Sequence, residues 1–168
     1  MKKFTRVAAG LLAVALAATM AAGCSKQGSG SKDSDKFYIG GIGPTTGGAA
    51  VYGNAVKNAA QIAVDEINEA GGINGYKIEY KFEDDEHNAE KSVNAYNSLK
   101  DWGMQILMGT VTTDPCKAVV AESGNDNMFQ LTPSASSTDV IKGKNVFQVC
   151  FTDPNQGTAS AKYIGEHK

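Results

Sequence analysis

The sequence predicts an α/β fold built on a parallel sheet with helices on both faces. Three observations predict it. From Phe37 onward, short apolar runs alternate with amphipathic segments of helical period. The loops that follow the apolar runs are rich in Gly, Ser, Thr and Asp, the residues that end strands and open helices. A chain of 168 residues that is 42% hydrophobic and 20% charged has enough apolar surface for one core.

The elements follow in order. "FYIGGIG" from Phe37 reads as a strand, and a glycine-rich loop runs on to Tyr52. A helix is expected from near Gly53, with Val56, Ala59, Ala60, Ala63, Ile67 and Ala70 on one face and Gly71-Gly72 as its stop. "YKIEYKFE", Tyr76 to Glu83, alternates strictly. Tyr76, Ile78, Tyr80 and Phe82 face one way and four charged residues the other, which marks a half-exposed edge strand. "NAEKSVNAYNSLKDW" is a second helix with Ala89, Val93, Tyr96 and Leu99 inward. "MQILMG" is a buried strand. "DPCKAVVAESGN" is a third helix, with Asp114 expected as N-cap and Pro115 as its first residue. "MFQLT" and "VFQVCF" are further strands, and a helix opens at Asp153-Pro154.

The first 23 residues are read as an export signal. "MKKFTR" is basic, "VAAGLLAVALAATM" is an apolar run of 14, too short to span a bilayer, and "AAGC" follows. A cysteine after small residues resembles the bacterial lipobox, although Ala21 stands where leucine is usual. That resemblance implies a lipid-modified Cys24 as mature N-terminus; simple cleavage is the alternative. Residues 24–36 lack apolar groups and read as a flexible linker to a membrane-anchored domain. Residues 24–168 carry 13 basic against 18 acidic groups, a balance of −5. No basic excess points to nucleic acid. Cys116 and Cys150 are open to two readings, a disulfide of an exported chain or two free thiols.

In such a sheet, ligands sit beyond the C-terminal ends of the strands. The loop Gly41 to Thr46 lacks the third glycine of a dinucleotide fingerprint, and Pro44 removes an amide donor. No Gly-Lys-Ser/Thr marks a P-loop. "EDDEH", Glu83 to His87, has metal-ligand residue types, but carboxylates at the start of a helix stabilise its N-terminus, and that reading is preferred. "GTVTTDP" brings hydroxyls to a helix N-terminus, where free amides suit a carboxylate. "TPSASS", Thr132 to Ser137, repeats that chemistry after the next strand. Together they suit an amino acid's carboxylate and ammonium. No G-x-S-x-G elbow, no HExxH, no CxxC and no histidine beside a cysteine is present, so no catalytic residue, metal or cofactor is expected.

The stretch from Phe37 to Leu99 resembles the N-terminal lobe of the Leu/Ile/Val-binding proteins. These are substrate-binding components of branched-chain amino-acid ABC transporters with the type I periplasmic-binding fold. The resemblance rests on G-P-x-x-G…Y-G, "INEAGGINGYKIE", the "DD" after the second strand, "LTPSASS" and "FTDPNQG", and extends to Lys168. It implies that the Gly-Pro loop walls a ligand cleft, that Tyr52 lines it, that Val111 and Thr113 bind the ligand carboxylate, and that Ser134, Ala135 and Ser136 serve carboxylate and ammonium. It also implies ABC permease subunits as partners and a location on the outer face of the membrane, lipid-anchored or periplasmic. A sensor, or a binder of an amide, urea-like compound or aromatic acid on the same fold, is the alternative. Some members carry a disulfide between the loops after the second and third strands; His87 and Thr112 stand at those places, so no bridge is expected there. The family has two lobes. Residues 37–152 are read as the first, with a hinge at Thr152–Asp153, and residues 153–168 as the start of a second that is otherwise missing.

Overall fold

The computed structural model describes residues 35–167. The export signal, Cys24 and all but the end of the expected linker lie outside the described residues. Five parallel strands form one sheet in the order β2-β1-β3-β4-β5. They are β1 (Lys36–Gly43), β2 (Lys77–Asp84), β3 (Ile106–Gly109), β4 (Gln130–Thr132) and β5 (Val146–Gln148). The helices are α1 (Ala50–Glu69), α2 (Ala89–Trp102), α3 (Thr113–Asn125) and α4 (Asp153–Glu166), with a 3₁₀ turn at Thr138–Ile141. Every expected strand and helix is present, and β2 lies at an edge as its alternation predicts.

Helix α1 packs on β1 and β2, while α2 and α3 pack together. The core lies beneath α2 and α3: Ile42, Leu99, Leu107 and Val119 are fully buried there with Tyr96, and Met104 closes one end. Strand alternation puts Ile39, Ile106, Met108 and Leu131 on the opposite face, where burial is only partial beyond α1. Phe129 and Phe147 continue that face, stacked 5.2 Å apart and exposed.

Three local expectations need correction. Helix α1 begins at Ala50, not near Gly53, because Ala49 serves as an N-cap without side-chain help. Its inward face is Gly53, Val56, Ala60, Val64 and Ile67, while Ala59, Ala63 and Ala70 point to solvent. The stripe therefore runs one residue off the alanines, through the bulkier Val64. In α2 the buried set is Ser92, Ala95, Tyr96 and Leu99, and Ala89 is exposed. Ser92 turns inward because its hydroxyl reaches the buried carboxylate of Asp85. Glycine ends α2 by adopting the left-handed region, with Gly103 at φ 97°. Helix α4 has no buried residue.

Candidate functional site

The C-terminal tips of all five strands are joined by hydrogen bonds that run from loop to loop. At β1, the loop after Gly43 is held by one carboxylate. Asp84 accepts from the Thr45 amide at 2.8 Å, the Thr46 hydroxyl at 2.6 Å and the Glu86 amide at 2.9 Å. Burial pushes the Asp84 carboxyl up. The Thr46 hydroxyl and the Thr45 and Glu86 amides outweigh that and hold it well below the usual carboxylate range. Asn54 on α1 donates to the Thr45 carbonyl at 3.0 Å. Buried Pro44 passes directly over Gly53, whose missing side chain makes room for it.

The next loop turns on Asp85, which is fully buried. Its carboxylate accepts from the His87 amide at 2.9 Å and the Ser92 hydroxyl at 3.1 Å. Burial raises the Asp85 carboxyl more than these bonds lower it. His87, at φ +59°, brings Nδ1 to 2.9 Å from the Thr112 hydroxyl. The two residues that stand where some relatives are expected to carry a disulfide therefore meet through a hydrogen bond. Cys116 and Cys150 are free, the first buried and the second half-buried. Burial pushes the Cys116 thiol up, which disfavours a thiolate nucleophile.

Between β3 and β4 the ties lie deeper. The Gln130 amide donates to the Gly109 carbonyl at 2.8 Å and accepts from Ser123 at 2.6 Å. Thr132 donates its hydroxyl to the Thr110 carbonyl at 2.8 Å and accepts from the Ala135 amide at 3.1 Å. The Ser134 hydroxyl donates to the Val111 carbonyl at 2.6 Å. At the far side, Gln148 donates to the Ala135 carbonyl, and the Asp153 amide to the Ser136 carbonyl at 3.0 Å. Gln130 is thus a site-building residue that loop-by-loop reading passes over, while Asp84, His87 and Thr132 lie in motifs it singles out without showing these bonds. One signal was visible: a glutamine in the middle of the apolar run "MFQLT" needs a buried partner.

The expected ligand residues divide accordingly. Thr113 is the first residue of α3, half-buried and beside the open end of that helix. The N-cap is Thr112, not Asp114, and Pro115 is the third helical residue. Proline fits there because the first-turn amides have no partner within the helix. Thr112 makes no side-chain cap, and Pro115 has no amide, so the amides of Thr113 and Asp114 are left for another acceptor. Ser136 is half-buried. Val111 and Ala135 are almost wholly buried, and the Ser134 hydroxyl and Ala135 amide are already bonded within the loops. Tyr52 is exposed in the first turn of α1, one residue before Gly53. The geometry brings the two loops together through Ser134 and Val111; among the described residues, the Thr113 and Ser136 hydroxyls find no internal acceptor.

Among the described residues, no group of three His, Cys, Asp or Glu side chains is placed to hold a metal. Nor, among them, is any helix long and apolar enough to cross a membrane. A cavity of about 400 Å³ lies elsewhere, lined by Phe37, Ile39, Ile73, Asn74, Tyr76, Ile78 and Ile106. It sits toward the N-terminal ends of β1 and β2 and its walls are mostly apolar, so the strand tips remain the better candidate for a charged head group.

Residues 36–168 match the periplasmic binding protein family. The chain belongs to the periplasmic binding proteins. This periplasmic binding protein is 40% identical over 131 residues to the Leu/Ile/Val-binding protein BraC3 of Rhizobium johnstonii, covering 75% of the chain and 35% of the relative. It superposes on a solved structure of the branched-chain amino acid transporter substrate-binding protein LivJ from Streptococcus pneumoniae in complex with isoleucine. The TM-score is 0.67 and the identity 30%, over 70% of this chain and 34% of the other. The leucine-binding protein LivK of Thermotoga maritima gives a TM-score of 0.67 at 26% identity, over 74% and 35% of the two chains. The periplasmic binding protein thus spans about a third of the length of these relatives. Its fold is that of one type I lobe.

Proposed function

We propose that this chain is the first ligand-gripping lobe of an ABC-transporter substrate-binding protein for branched-chain amino acids, which passes its ligand to a membrane permease. One observation carries the reading. Helix α3 opens at the strand tips with two amides not capped by a side chain, and Thr113 is beside them. That end carries partial positive charge and directed donors, which suit a carboxylate. Ser136, on the loop that Ser134 ties to Val111, is the second hydroxyl for the amino-acid head group. Val111, Ser134 and Ala135 hold the two loops in register, and Tyr52 flanks the cleft wall. Binding without chemistry fits the state of Cys116, whose thiol is buried and held in its protonated form. The names of the similar proteins support branched-chain amino acids as the ligand class. In this reading the leader directs export, Cys24 takes a lipid anchor and residues 24–36 tether the lobe outside the membrane. A second lobe then clamps the ligand by hinge closure near Thr152–Asp153.

Calorimetric titration of the complete two-lobe protein tests the site. Thr113→Ala combined with Ser136→Ala is expected to weaken leucine binding by about 2 kcal/mol, roughly 30-fold, from lost hydrogen bonds to a charged group. Unchanged affinity would place the carboxylate elsewhere.

A further inference from the structure

The hydroxyl of Thr112 is in the position from which an N-cap normally accepts an amide of the first helical turn. Here it does not: it lies 2.9 Å from His87 Nδ1, and α3 has no side-chain cap. Whichever ring nitrogen carries the proton, this contact fixes the hydroxyl away from the helix. His87 is itself fixed. Its amide is bonded to the carboxylate of the fully buried Asp85, which Ser92 of α2 also holds. Since Pro115 has no amide to offer, the amide of Asp114 is the one a released Thr112 would cap.

We infer that His87 is a positioning residue for the ligand carboxylate, keeping the first amides of α3 open by holding the Thr112 hydroxyl off them. This rests on the carboxylate site proposed above. Removing the imidazole frees the hydroxyl to turn onto the helix and compete with the ligand. The consequence is unusual for a lost hydrogen bond: binding falls while stability does not, because the helix gains a cap.

Leucine titration and denaturant unfolding of the complete protein test this. His87→Ala is expected to weaken binding about fivefold, the weight of one N-cap bond, with the unfolding midpoint unchanged or raised. His87→Asn, whose side-chain nitrogen takes the place of Nδ1, is expected to retain wild-type affinity. Adding Thr112→Val to His87→Ala removes the competing hydroxyl and is expected to recover most of the loss. If His87→Ala lowers affinity and stability together, and Thr112→Val recovers nothing, His87 is only structural and the inference is wrong. Wild-type affinity in His87→Ala also overturns it. Failure of the wild-type protein to bind leucine would instead overturn the carboxylate site itself.

Discussion

Replacing Gly53 by alanine is expected to destabilise the lobe by about 3 kcal/mol and to weaken amino-acid binding with it. A Cβ at Gly53 would lie 1.8 Å from the Pro44 carbonyl oxygen and 2.5 Å from its carbon, both backbone atoms. Neither side can yield easily. Gly53 belongs to the first turn of α1, and the loop is pinned by Asp84 through Thr45 and Thr46 and by Asn54 through Thr45. The methyl group must therefore push the cleft wall off the helix or distort the helix start. Gly157 in α4 is the control, since a Cβ there meets nothing within 4 Å. Gly157→Ala should be neutral, or stabilising by up to about 1 kcal/mol from helix propensity. Guanidinium unfolding of both variants decides the matter; a Gly53→Ala protein as stable as wild type would show that the loop does not rest on α1.

Leu107→Ala carries an effect of similar size, about 3 kcal/mol within a usual range of roughly 2–5. Leu107 is fully buried at the centre of the sheet, under α2 and α3, in a cluster with Ile42, Leu99 and Val119. Truncation leaves a void in a close-packed layer that the two helices cannot collapse into. Leu131, next door on β4 but facing the other way and only half-buried, should cost less than about 1.5 kcal/mol when truncated alike. Equal losses at the two positions, read by the same unfolding experiment, would mean that the core has been assigned to the wrong face.

The difference between these leucines was partly legible in the sequence. Strict alternation in "YKIEYKFE" gave the exposed edge, and the Asp-Pro opening at Asp153 gave a helix start. The stripe of α1 was misplaced because alanines fit either face, and only the volume of Val64 decides which turns inward. The glycine-proline loop was recognisable as a motif, but its cause was not: Pro44 and Gly53 meet through space across nine residues. The site shows the same division. Hydroxyl-rich loops at helix starts could be found one at a time. The bonds that align them, Gln130 to Gly109, Thr132 to Thr110, Ser134 to Val111 and His87 to Thr112, join residues 21 to 25 apart. No local pattern encodes such pairs. The N-cap of α3 was misassigned for a related reason: Asp114 has the usual capping side chain, whereas Thr112 takes the position and gives its hydroxyl to another loop.

The most direct measurement compares leucine with leucinol on the complete protein by calorimetry. Leucinol keeps the side chain and the ammonium but has a hydroxymethyl group in place of the carboxylate. If the open end of α3 grips the carboxylate, leucine binds and leucinol binds at least about a hundredfold more weakly, from the loss of charge-assisted bonds. Equal affinity for the two compounds would contradict a site built on those amides.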